Sequence, residues 1–166
     1  ELVNALQDAF VMGRSNLTDP ILLYLVRHVV VPLHEMPLDH PDRLHTDVIL
    51  TMELRRRFSR EVLLEWFLNT ALYGNGTYGI EAAAQYYLDK PASDLTLAEA
   101  ALLAVIPANP SINPFDQPDV AQRRQEVVLD TMTAYAMIGP DEAEAASAPL
   151  AVTRALAPAD VVAPHF

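Results

Sequence analysis

Apolar residues recur three and four positions apart through most of this chain, and no segment shows the strict alternation or the turn dipeptides of a hairpin. That spacing lines up side chains along one stripe of a helix, so an all-α fold is expected. Ser59 is placed to cap a helix over residues 60–69, with Leu64, Phe67 and Leu68 on one face. Thr96-Leu97-Ala98-Glu99 has the spacing of a capping box and opens an apolar helix, residues 100–106, that Pro107 stops. Pro118 suits a first helical position, and Val128, Met132 and Tyr135 then mark a buried stripe reaching about Ala136. Gly139-Pro140 separates that helix from a short acidic one over residues 141–146. Upstream, residues 7–12, 21–31 and 48–54 are apolar. The second of these ends in β-branched residues, but its length favours a helix.

Composition closes off several function classes. With 51% hydrophobic and 20% charged residues the chain is not of the disordered type. A formal charge of −11 does not suit a protein that neutralises a phosphate backbone, so no nucleic-acid partner is expected. The absence of cysteine excludes disulfides, thiolate metal sites and cysteine nucleophiles. No apolar run approaches the ~18 residues that span a bilayer. There is no basic-then-apolar leader, and the start at Glu1 reads as the edge of a piece cut from a longer protein. Charge is unevenly spread: residues 1–60 hold seven Arg against eight acids, residues 61–166 four cations against fourteen acids. Eight of the thirteen prolines lie at or after Pro107, and residues 155–166, with Pro158 and Pro164 among Ala and Val, read as an extended linker.

Several groups are candidates for chemistry. Tyr73-Gly74-Asn75-Gly76-Thr77-Tyr78-Gly79 packs three glycines between two helices; it is a phosphate cradle or a tight interhelical connection, and it lacks the Walker and dinucleotide patterns. Residues 108–115 form a Pro/Asn turn cluster expected as an ordered surface loop. Arg55-Arg56-Arg57 with Arg60 is the densest basic spot, read as a solvated helix end in which Glu53 pairs with Arg56 or Arg57, or as a grip on an anionic head group. His34, His40 and His45 do not share a helical face, so no metal site is expected. Glu65, amid Leu63, Leu64, Trp66, Phe67 and Leu68, is a carboxylate that needs a partner if buried.

Residues 56–70 (Arg-Arg-Phe-Ser-Arg-Glu-Val-Leu-Leu-Glu-Trp-Phe-Leu-Asn-Thr), then Leu72-Tyr73-Gly74-Asn75-Gly76-Thr77-Tyr78-Gly79-Ile80-Glu81 and its alanines, resemble the glycosyltransferase domain of class A penicillin-binding proteins, glycosyltransferase family 51. The likeness continues through residues 89–104, Asn113-Pro114-Phe115 and Arg123-Arg124-Gln125-Glu126-Val127-Val128-Leu129. It implies a lysozyme-like helical domain over residues 1–154 without its first segment, followed by a linker at residues 155–166 that enters a transpeptidase domain in cis. The implied reaction is polymerisation of lipid II into a glycan strand. A sugar 4-hydroxyl attacks the anomeric carbon of the growing chain and undecaprenyl pyrophosphate leaves. A carboxylate base and cations that hold the pyrophosphate are needed. No cofactor is required, although a divalent cation can assist at the pyrophosphate. The implied location is the extracytoplasmic face of the cell membrane, contacted through an upstream segment and an apolar patch to which residues 21–31 correspond.

Before residue 53 the chain departs from the family pattern. The early Glu-Asp motif that carries the base is absent and is expected upstream of Glu1. In the second motif Ser15, Leu17, Thr18 and Arg27 keep the type, both glutamines are missing, and about four residues are inserted. The third, Arg-Lys-x-x-Glu, aligns with Arg43-Leu44-His45-Thr46-Asp47, which lacks the Lys and has an acid one methylene shorter. The resemblance therefore assigns Asp47 as catalytic, and Arg43, Arg27, Ser15, Thr18, Asn69, Gly74, Asn75 and Gly76 as substrate-binding. The departures leave a second reading: a lobe that has lost catalysis and serves as a scaffold or glycan-binding module. A third, a lysozyme-like hydrolase, would place Asp47 and Glu65 across a cleft.

Overall fold

Helix starts in this chain are set by side chains that accept the first free backbone N–H groups. Asp19 accepts from Ile21 N and Leu22 N ahead of α1 (Pro20–Leu25), Ser59 accepts from Val62 N, and Thr96 and Glu99 complete the capping box reciprocally. The computed structural model describes residues 19–31, 36, 37 and 39–148. After α1 come a π-helical turn (Val26–Val30), α2 (Arg43–Arg57), α3 (Arg60–Thr70), α4 (Ile80–Leu88), a 3₁₀ turn (Ala92–Asp94), α5 (Leu97–Ala104), α6 (Pro118–Ala134) and α7 (Pro140–Ala146). Among the described residues the sole β-type pairing is an isolated antiparallel bridge between Leu72 and Tyr78. The expected linker at 155–166 and its boundary lie outside the described residues, as does the apolar stretch 7–12.

The described residues divide into two units, one ending at Ala71 and the other starting at Leu72. In the first, α1, the π-turn, α2 and α3 close on one core of Ile21, Leu22, Leu25, Val26, Leu54, Leu63 and Leu64, with Leu50, Phe58, Phe67 and Leu68 around it. Each aliphatic side chain removed from water there contributes roughly 1.5–3 kcal/mol. Tyr24 leaves this core edge-on to Phe67 and donates its hydroxyl to the Thr70 carbonyl at 3.3 Å. No helix among the described residues is long and apolar enough to cross a membrane.

In the second unit alanines do much of the packing. Ala101, Ala143 and Ala146 meet Leu129 where α5, α6 and α7 come together, and Leu102, Ile112 and Ala121 form a further cluster. Buried Gln125 ties the helices by donating Nε2 to the Ala98 carbonyl at 2.8 Å and the Ala146 carbonyl at 3.4 Å.

Two expectations change here. The buried face of α6 runs through Ala121, Gln125, Leu129 and Met132, while Tyr135 is exposed. The helix ends at Ala134 because Ala136 turns to φ +54° and the Met137 N–H closes back on the Met132 carbonyl at 2.9 Å. The Pro/Asn cluster at 108–115 is not simply a surface loop: Ile112, Asn113 and Pro114 are buried. Asn113 makes that possible by folding its side chain into the turn, its Oδ1 accepting from Phe115 N and Asp116 N at 3.1 Å each.

Candidate functional site

Arg43 and Asp47 stand one turn apart on α2, so their side chains lie on the same face. That face is turned inward: the side chains are 3% and 2% exposed. Arg43 Nε donates to Asp47 Oδ1 at 3.0 Å, and its two Nη groups donate to the Met36 carbonyl and, at 3.4 Å, to the Val31 carbonyl. Arg43 is thus a buried clamp that ties the Val31 and Met36 carbonyls to α2. The other carboxylate oxygen, Asp47 Oδ2, accepts from Arg27 Nε and Nη2, both at 2.8 Å. Arg27 keeps 33% of its side chain exposed. The cluster holds two guanidinium charges on one carboxylate, and its surplus positive charge faces solvent through Arg27.

Arg27 is aimed by the π-turn. There the Val31 N–H reaches back to the Val26 carbonyl at 2.8 Å, adding a residue to the turn. Wide turns of this kind recur at functional sites. Next to Arg27, the His28 ring stacks on Tyr24, centroids 4.4 Å apart and 26° between planes. Burial lowers the His28 pKa first, and the charges of Arg27 and Arg43 lower it further.

The structure brings Arg27, Arg43 and Asp47 together. Ser15 and Thr18 lie outside the described residues. Asn69 is exposed on the last turn of α3. Gly74, Asn75 and Gly76, in the second unit, all have positive φ, of 82°, 50° and 72°. Their loop closes on itself: Tyr73 N–H donates to Thr77 O and Thr77 N–H to Gly74 O, both at 2.8 Å, and the Tyr87 hydroxyl donates to Tyr73 O at 2.7 Å. Burial pushes that hydroxyl up to about 12, so it stays a donor. Closed in this way, the loop forms a tight turn ahead of α4. Glu53 chelates Arg56 at 2.7 and 3.0 Å and pairs with Arg57, which holds its carboxyl at about 2. The basic run is thus a solvated helix end. Glu65 is exposed and Asp47 has both oxygens committed, so the pair does not supply a hydrolase's two free carboxylates. Among the described residues no three His, Asp or Glu gather as metal ligands.

His28 and Tyr24 were not among the expected site residues. Their spacing of four on one helical stretch was the available signal.

The transglycosylase family model matches residues 8–133. The chain belongs to the transglycosylase family. This transglycosylase chain is 34% identical over 157 residues to penicillin-binding protein 1A of Aquifex aeolicus, a match covering 92% of the chain and 20% of that protein. To penicillin-binding protein 1F of Bacillus subtilis it is 41% identical over 98 residues, 58% of the chain and 14% of that protein. The crystal structure of penicillin-binding protein 1A from Haemophilus influenzae superposes with a TM-score of 0.55 at 34% identity, covering 61% of the chain and 16% of that one. The transglycosylase chain spans a fifth or less of the length of these relatives. The all-α, lysozyme-like class and the family expected from residues 56–129 both stand.

Proposed function

We propose that this chain is the glycan-polymerising domain of a bifunctional peptidoglycan synthase, working at the extracytoplasmic face of the cell membrane beside a transpeptidase domain. Its substrates are lipid II and the growing glycan strand, and undecaprenyl pyrophosphate is the leaving group. The reading is carried by the Arg27–Asp47–Arg43 cluster: a buried carboxylate locks two guanidiniums, leaving one of them partly open to an anion. Charge develops on the pyrophosphate as the glycosidic bond breaks. A donor already fixed in place stabilises that charge without reorganising. Arg27 makes the contact, Asp47 positions Arg27, and Arg43 fixes Asp47. With both oxygens accepting, Asp47 is not the base that takes the hydroxyl proton; that role falls to a glutamate of the family's first motif, which this sequence does not contain. Nor is Asp47 free to ligate a divalent cation, so one assisting here would be held by the diphosphate itself.

A second reading, a scaffold or glycan-binding lobe without turnover, draws on Leu44. Where the family motif carries a cation, this chain has an apolar side chain 68% exposed. Labelled lipid II offered to the full-length protein separates the two. Glycan chains from the wild type, lost in Asp47→Asn, are the expected outcome. A folded wild type that binds a substrate analogue and makes no chains would establish the scaffold.

A further inference from the structure

The chemistry so far leaves His28 unused, although its surroundings are those of a built position. Its ring is fixed face to face on Tyr24 at 4.4 Å, and Tyr24 is itself fixed by Phe67 edge-on and by the Thr70 carbonyl. The imidazole is exposed, and it follows in sequence the one guanidinium of the cluster that reaches solvent. The charged groups that act on it are Arg27 on its own turn and Arg43 on α2, both of which share the Asp47 carboxylate; α3 presents the neutral Phe67 and Thr70 by way of Tyr24. With two positive charges against one negative, the free site disfavours a third cation. A bound phosphate reverses that balance, because its negative charge sits beside the ring.

We infer that His28 is a second, proton-dependent grip on the diphosphate that Arg27 holds. In the free protein the neighbouring guanidiniums and partial burial hold the ring's affinity for a proton below its ordinary level. When the anion binds, the ring takes a proton from solvent and donates an N–H to a phosphate oxygen; when the diphosphate departs, the proton returns to solvent. Binding and protonation are linked, so the anion raises the affinity of His28 for its proton as much as the proton raises affinity for the anion. This rests on the reading of Arg27 as the diphosphate contact.

Titration calorimetry of the full-length protein with inorganic pyrophosphate tests it between pH 5.5 and 8. The wild type is compared at each pH with His28→Gln and with His28→Phe, which keeps the stack on Tyr24. Comparison at equal pH cancels the probe's own titration. The expected ratio of affinities, wild type to either variant, is near one at pH 8 and rises to roughly tenfold at pH 5.5, each unit of pKa displacement being worth a factor of ten. The His28 ring resonances, followed by NMR, titrate at higher pH when pyrophosphate is present. A ratio independent of pH, with binding that still depends on Arg27, overturns the role of His28 and leaves the diphosphate reading intact. Binding unaffected by Arg27→Ala, or no binding at any pH, overturns both.

Discussion

Asp47 does two things at once, and substitutions can pull them apart. Removing its carboxylate leaves Arg43 charged and buried without a counter-ion, held by the Met36 and Val31 carbonyls alone. Asp47→Ala is therefore expected to cost about 3–5 kcal/mol in urea denaturation, the usual penalty for breaking a buried pair. Arg27 is a third exposed, and water can take over the solvation of what it leaves behind. Arg27→Ala should cost about 1 kcal/mol or less in the same assay, yet reduce the rate of glycan synthesis about 100-fold, in line with removal of one preorganised donor. Equal losses of stability in the two variants, with synthesis unaffected by Arg27→Ala, would make the cluster a structural ion pair and nothing more. Much of this was legible beforehand: a spacing of four puts Arg43 and Asp47 on one helical face. Arg27, twenty residues upstream, has no such local signal, and all three residues entered through the family resemblance. The carbonyls of Val31 and Met36 that clamp Arg43 follow from the path of the chain before α2, for which residue patterns carry no rule.

Elements were legible where a local side chain decides them. Ser59, Thr96 with Glu99, Pro118 and Pro140 each mark a helix start that the structure confirms, because capping is settled within four residues. The π-turn and the left-handed Ala136 were not legible. Both are held by backbone closure within a packed unit and carry no glycine or proline as a flag. The glycine loop is an intermediate case: three glycines announced positive φ, but not which of them is also hemmed in. At Gly76 a Cβ would meet nothing within 4 Å, whereas at Gly74 it would fall 2.5 Å from the Pro110 carbonyl oxygen and 3.1 Å from the Tyr87 hydroxyl. Gly76→Ala should cost only the left-handed strain, about 1–2 kcal/mol. Gly74→Ala adds a clash with backbone and is expected to cost more than about 3 kcal/mol. Thermal midpoints of the two variants check the order, and comparable shifts would mean that the segment around Pro110 gives way more easily than its buried Asn113 suggests.

At the scale of the chain, charge was legible and partition was not. The acidic excess beyond residue 60 reads straight from composition, while the break between Ala71 and Leu72 leaves no compositional mark, since both flanks continue the same helix-forming and glycine-loop pattern. Among the described residues of the acidic part, Glu99 is a carboxylate whose environment makes it count for stability. Burial alone would raise the Glu99 carboxyl, but Lys90 Nζ at 2.7 Å and the Thr96 N–H and hydroxyl at 2.8 Å outweigh it and hold the group below its ordinary 4.5. The folded state therefore favours ionised Glu99. Its contribution is complete above the ordinary carboxylate value and is lost as pH falls through the lowered one. In nearly the same window the charge of −11 at pH 7 shrinks to zero, near pH 4.7, and with it the repulsion that keeps copies apart. Stability and solubility should thus decline together in mild acid for separate reasons, and Glu99→Gln distinguishes them. Having no carboxylate to protonate at that position, the variant should be less stable at pH 7 and lose less stability between pH 5 and pH 3, while light scattering still peaks near pH 4.7. Parallel stability curves for wild type and variant would show that the Lys90–Glu99 pair contributes nothing that depends on pH, leaving the acid limb to the net charge alone.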